Sequence, residues 1–250
     1  MEDLNGSSRR YKGDSIWLHD LPENLDDIAH LKGLILHHAD RLRELPKNIG
    51  ILTNLTNLLM CGSRLTNLEN IGNLTKLTSL DLYDNRSLLS LPESIGNLTN
   101  LTYLCSRQGK LTTLPESIGS LVNLTHLALR SNKITNLPES ISNLVNLTHL
   151  DLSSNQLDSL PESILSLTNL IELDLSNNPL TDLSVLQKLP SLKEVRFLGV
   201  NLPRRYWEKL SDWRPEWLLD EENADVRCVL VAQVRHQSIC DRLEATLLDS

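Results

Sequence analysis

Two histidines in identical T-H-L triplets, His126 and His149, an aspartate at Asp151, and four cysteines are the side chains of this 250-residue chain best suited to chemistry. Histidine beside a carboxylate suits a metal ion or proton transfer, and cysteine suits nucleophilic attack. Their spacing argues against each. Cys61, Cys105, Cys228 and Cys240 show no C-x-x-C or related ligand spacing. A cysteine nucleophile needs a positioned base and a lowered pKa, whereas Cys228 falls inside an apolar run and Cys240 inside a short amphipathic one. Duplication of one unit explains the histidine pair, and an open sheet offers little of the outer hydrogen bonding that orients metal ligands. No G-x-x-x-x-G-K-[ST], G-x-G-x-x-G or G-x-S-x-G motif occurs. The sequence therefore predicts no catalytic residue, no metal and no cofactor.

The unit that carries these residues recurs throughout the chain. One copy places Leu147, Leu150, Leu152, Asn155, Leu157, Leu160, Pro161, Ile164 and Leu167 in order. With Leu150 as marker, equivalents fall at Leu34, Leu58, Leu80, Leu104, Leu127 and Leu173, and Val195 is a degenerate eighth. The spacings are 24, 22, 24, 23, 23, 23 and 22 residues. Alternation in L-x-L predicts a short strand with its leucines inward, and stacked copies give parallel strands ~4.8 Å apart. A single unit cannot bury that face, so only neighbours on both sides complete the core. Thin repeated layers favour branched aliphatics, which accounts for a 4% aromatic content with one Phe.

Asn85, Asn132, Asn155 and Asn178 fall where the chain leaves each strand. There an amide satisfies backbone groups that the turn leaves unpaired, so stacked copies form a ladder. Ala39, Ser63 and Gly109 interrupt it, which predicts a less regular N-terminal half. Pro46, Pro92, Pro115, Pro138 and Pro161 then forbid strand pairing and start the back of the repeat, extended chain plus a helical turn. Two units lack the proline step, at Leu68 and Leu183. Two carry an extra residue, at Asp40-Arg41 and Arg86-Ser87, and the second predicts a bulged loop.

These residues closely resemble the leucine-rich repeat family, L-x-x-L-x-L-x-x-N-x-L continuing as L-P-x-x-I-x-x-L. The pattern is similar to repeats of intracellular Ras-linked scaffolds and Roco-type GTPases. The resemblance covers about residues 21–202 and implies a curved α/β horseshoe whose concave parallel sheet binds protein partners. The predicted organisation is an N-terminal cap segment over 1–20, with Ile16, Trp17 and Leu18 folded over the first layer, a solenoid of about eight repeats over 21–202, and a helical C-terminal cap over 203–250. The fragment from Leu21 to Leu31 reads as the back of a repeat without its strand. Residues 204–210, 224–234 and 238–248 read as helices.

Outward strand positions alternate with the inward leucines. They place Tyr83, Tyr103, Arg107, His126 and Arg130 in the middle of the concave face, followed by His149, Asp151, Glu172 and Asp174. Tyrosine and arginine anchor protein interfaces by large contact area with polar tips. A basic-aromatic patch beside an acidic one suits a bipolar segment of a protein partner, and these nine residues form the predicted binding site. The predicted role is a protein-interaction scaffold in signal transduction. The alternatives are an architectural repeat module of a larger signalling assembly, or an enzyme acting through the C-terminal tail. A net charge of −8 repels phosphate backbones, which predicts no nucleic-acid partner. No apolar run reaches membrane-spanning length and the N-terminus lacks a signal-peptide core, so the sequence predicts a cytoplasmic monomer away from membranes, with reduced thiols.

Overall fold

A computed structural model describes residues 9–11 and 15–200, apart from positions 190, 193 and 198. The helices expected over 203–250, with Cys228 and Cys240, lie outside the described residues. One ten-stranded sheet runs in chain order. Its strands are β1 (Arg9–Tyr11), β2 (Ser15–Leu18), β3 (Gly33–His37), β4 (Asn57–Cys61), β5 (Ser79–Asp81), β6 (Tyr103–Cys105), β7 (His126–Ala128), β8 (His149–Asp151), β9 (Glu172–Asp174) and β10 (Glu194–Arg196). β2 to β10 are parallel, and β1 pairs antiparallel with β2.

The register is the one the repeat dictates. Leu34, Leu58, Leu80, Leu104, Leu127, Leu150, Leu173 and Val195 are partners across successive strands. Each of these side chains is at most 2% exposed, and Ile95, Ile118, Ile141 and Ile164 on the opposite wall are fully buried. Between strands the chain crosses the back as 3-10 turns such as Glu93–Asn97 and Glu116–Ser120. The preceding prolines are held extended, at φ from −64° to −75°. Leu68 and Leu183, which replace that proline, sit instead near φ −126° and −122°. A 3-10 turn is wider than a strand, so stacking at a common core bends the solenoid toward its sheet.

The N-terminal end differs from expectation. Residues 16–18 do not fold over the first layer as a plug; they are a strand of it, with Ile16 opposite Leu34 and Leu18 opposite Leu36. The physical reason is the I-x-L alternation of Ile16 and Leu18, a period-two pattern that one more layer of the sheet can use. The fragment at 21–31 therefore has its strand, and the parallel sheet has nine strands where eight were expected. β1 covers its edge.

Ladders of polar side chains seal the turns. Asn132, Asn155 and Asn178 each donate to two or more backbone carbonyls and accept an N–H from the preceding repeat, from Leu111, Ile134 and Leu157 at 3.0–3.1 Å. Next to the interruption at Ser63, Asn85 donates to Met60 and Leu82 while its Oδ1 has no partner. The residue before each ladder position is left-handed: His38, Gly62, Asp84, Gln108, Ser131, Ser154, Asn177 and Gly199 all have φ between 52° and 71°. Threonine hydroxyls form a second row, Thr78 to Thr56, Thr102 to Thr78, Thr125 to Thr102 and Thr148 to Thr125, at 2.9–3.1 Å. Asn54, Asn123 and Asn146 spend their amides on backbone carbonyls of the previous repeat, which gives the recurrent N-L-T triplets a structural job. Both long repeats close an extra turn, Leu42 N to Ala39 O and Leu88 N to Asn85 O, so the bulge at Arg86-Ser87 is present.

Candidate interaction face

Parallel register sorts the outward side chains into rows running along the sheet. The first contains Ser79, Tyr103, His126, His149 and Glu172; the second contains Asp81, Cys105, Ala128, Asp151, Asp174 and Arg196. Seven of the nine predicted site residues surround one shallow depression of about 180 Å³: Tyr103, Arg107, His126, His149, Asp151, Glu172 and Asp174. Tyr83 and Arg130 lie outside it. Tyr83 donates instead to Gln108 Oε1 at 2.9 Å, and Arg130 is exposed. Two lining residues were not singled out in the sequence, Ala128 and Arg196. The hollow exists because one small side chain, Ala128, is ringed by long ones. That signal was present in the second row, where from Asp81 to Arg196 Ala128 alone lacks a polar group.

The imidazoles of His126 and His149 stack, centroids 4.3 Å apart and 7° from parallel, and Tyr103 tilts over His126 at 6.3 Å. Thr125 and Thr148 fix both rings. Each hydroxyl donates to a backbone carbonyl, so it accepts from the adjacent Nδ1–H at 2.9 and 2.8 Å. In the neutral rings Nε2 is then the free acceptor. That of His149 lies 3.4 Å from Glu172 Oε1, where a bound proton would bridge the two. Burial, then the neighbouring His149, lowers the pKa of His126, with Glu172 opposing. Arg107 reaches Asp151 at 3.6 Å, and Asp151 also accepts from the Ser153 hydroxyl at 2.6 Å. Burial foremost, with Cys105 next, pushes the Tyr103 hydroxyl up to about 12, and burial then Asp81 pushes the Cys105 thiol up to about 11. Both groups are neutral near pH 7, so neither is present as an anionic nucleophile there.

The N-terminal part of the same face is apolar, a feature sequence reasoning missed. Trp17, Ile35 and Leu59 occupy the second row ahead of Asp81 and are half-buried. Trp17 meets the edge of His37 at 5.7 Å. Assigning residue 17 to a plug hid this, whereas its place between Ile16 and Leu18 is the available signal. Among the described residues no group of three or more His, Cys, Asp or Glu is placed to hold a metal ion, and no helix is long and apolar enough to cross a membrane.

Comparison with known proteins agrees with this geometry. A leucine-rich repeat region family matches residues 116–214, and a Leucine Rich Repeat family matches residues 76–98. No curated protein matches the chain in sequence. Among solved structures, an internalin (inlF) from Listeria monocytogenes is 24% identical at a TM-score of 0.62, over 74% of this chain and 59% of that one. The repeat ectodomain of the Arabidopsis thaliana receptor kinase GASSHO1/SCHENGEN3, in complex with CASPARIAN STRIP INTEGRITY FACTOR 2, is 26% identical at a TM-score of 0.65, over 78% and 24%. The TLR13–ssRNA13 complex gives 27% identity and a TM-score of 0.63, over 69% and 26%. The chain thus spans from about a quarter to about three fifths of the length of these relatives.

Proposed function

This chain is a leucine-rich-repeat protein, and from that premise we propose that it is an interaction module that seats a segment of a partner protein on its concave sheet between Tyr83 and Asp174. The observation that carries the reading is the convergence of Tyr103, Arg107, the stacked His126–His149 pair, Asp151 and Glu172 on one hollow of the open sheet. Flat aromatic and imidazole surfaces supply contact area at small entropic cost, and charges of both signs fix the direction of a bound chain. A receptor ectodomain of similar fold, solved in complex with an integrity factor, supports a binding role for such a repeat array. The apolar Trp17, Ile35 and Leu59 extend the face for a partner longer than the hollow.

Within this reading the chain acts by stoichiometric binding, as a monomeric scaffold for signalling proteins in a reducing, cytoplasmic setting where Cys61 and Cys105 stay as thiols. A partner of nucleic acid, as in the TLR13–ssRNA13 complex, suits this hollow less well. Its charged lining includes Asp151, Glu172 and Asp174, which repel phosphates. The test is affinity capture with the wild-type chain and with a Tyr103→Ala, Arg107→Ala double variant of matched thermal stability. Loss of specifically captured proteins supports the reading, and an unchanged set contradicts it.

A further inference from the structure

The two long repeats flank a short one, and the mismatch opens a groove away from the concave hollow. The spacing of 24, 22 and 24 residues puts an extra turn residue at Asp40-Arg41 and at Arg86-Ser87, with the tight turn at Gly62-Ser63-Arg64 between them. The result is an open groove of about 580 Å³ on the edge where the strands end, lined by Arg43, Arg64, Arg86, Asp40, Asp84, Gly62, Ser63 and Ser87. Three arginines against two aspartates leave this groove positive in a chain of net charge −8.

Two features show donors that no protein group uses. Among the described residues, the two ion pairs within the groove engage the guanidinium through Nε, Arg64 to Asp40 at 3.5 Å and Arg86 to Asp84 at 2.6 Å. The aspartates therefore orient the side chains while the paired Nη edges stay available for the forked recognition at which arginine excels. Independently, Ser63 lines the groove, is 4% exposed, and its Oγ has no hydrogen-bond partner. The hydroxyls of Ser117, Ser140 and Ser163 in the 3-10 turns of the back are buried and unpartnered in the same way; of the four, Ser63 is the one that lines the groove, where a ligand group would complete its bonding. Beyond the groove, exposed Lys110 and Lys133 follow the ladder residues Gly109 and Asn132 as Arg64 and Arg86 follow Ser63 and Asn85. They continue a basic rail of about 14 Å at ~4.8 Å per repeat.

We propose that this edge groove binds a phosphate monoester on an extended acidic segment of a protein, with Arg43, Arg64, Arg86 and Ser63 around the phosphate and Lys110 and Lys133 along the flanking residues. A phosphate dianion has three terminal oxygens to place, more than one carboxylate uses, and several guanidinium edges plus a hydroxyl match that number. The rail favours a phosphorylated chain over a free phosphate, because a lone ion leaves the lysines unused. This site is separate from the concave hollow, so its failure leaves the reading of that hollow standing.

The experiment uses the full chain and a fluorescent pool of degenerate acidic peptides carrying one fixed phosphoserine, beside the same pool with serine. Anisotropy should show saturable binding at least about tenfold tighter for the phosphorylated pool. Arg64→Gln and Arg86→Gln should each weaken it by about five- to tenfold, the range for charge-assisted bonds at an exposed site. Ser63→Ala should weaken it severalfold at an unchanged melting temperature, and Tyr103→Ala should leave it unaltered. Equal binding of the two pools overturns the proposal. So does tighter binding of a single-stranded RNA of equal length, or inorganic phosphate binding as tightly as the peptide. Ser63→Ala that lowers the melting temperature without touching affinity also overturns the assignment of that hydroxyl, tying it to the ladder acceptor Asn85 Oδ1.

Discussion

Replacing Asn132 and Asn85 singly by alanine sets two structural measures against each other. Asn85 is the more buried, 1% exposed against 7% for Asn132, so burial alone ranks Asn85→Ala as the costlier change. Hydrogen bonding ranks them the other way. The Asn132 amide donates to Ser106 O at 2.6 Å and Leu129 O at 2.9 Å, and its Oδ1 accepts from Leu111 N at 3.0 Å. Alanine there breaks three bonds and strands three backbone groups, which at roughly 1–1.5 kcal/mol each amounts to about 3–5 kcal/mol. Asn85 makes two, to Met60 O and Leu82 O, and carries a partnerless Oδ1 whose desolvation cost its removal recovers. The expected loss is about 1–3 kcal/mol, so the variants should differ by about 2 kcal/mol. Equilibrium urea unfolding followed by circular dichroism measures both, with unchanged m-values as the condition for comparing them. An Asn85→Ala loss equal to or greater than that of Asn132→Ala refutes the reasoning.

Gly119→Ala should cost about 1–3 kcal/mol, because the new Cβ would lie 2.6 Å from the Ser140 carbonyl oxygen; Gly50→Ala, whose nearest neighbour is a side-chain carbon at 3.1 Å, should cost less in the same unfolding assay. Cys61 and Cys105, each raised to about 11 from the usual 9.0 with burial the leading cause, should alkylate about 100-fold more slowly than an ordinary thiol at pH 8, read by mass spectrometry of the individual peptides. The lowered pKa of His126 means that the folded chain binds fewer protons than the unfolded one. Its contribution to stability is therefore full above the ordinary 6.5 and is lost as pH falls through the folded value; urea midpoints from pH 7.5 to 5 should decline less in His126→Asn, and identical profiles would contradict this.

The solenoid was legible because each repeat states the same rule again. Leucines from Leu34 to Leu173 recur at nearly constant spacing, and all of them meet their expected partners across the sheet. The first strand was harder to see. Ser15–Leu18 has only two inward residues, and its turn lacks the asparagine that marks later repeats. At the site, row assignment followed directly from alternation, which places Tyr103, His126, His149 and Glu172 side by side. Depth did not follow. It depends on how far each side chain rises from the sheet, so small Ala128 sank a hollow that excludes Tyr83 and Arg130. The Asp40-Arg41 and Arg86-Ser87 insertions were visible as extra residues, but the groove between them depends on which turns face each other. That is a property of stacking and not of any one repeat.

The central claim is that the concave hollow, and not the convex back, receives a protein partner. Amide hydrogen exchange on the purified chain alone and in complex with a captured partner tests it most directly. The account predicts protection concentrated in β6 to β9, Tyr103 to Asp174, with the 3-10 turns at 93–97, 116–120 and 139–143 unchanged. Protection confined to those turns, with β6 to β9 exchanging as in the free chain, would contradict it.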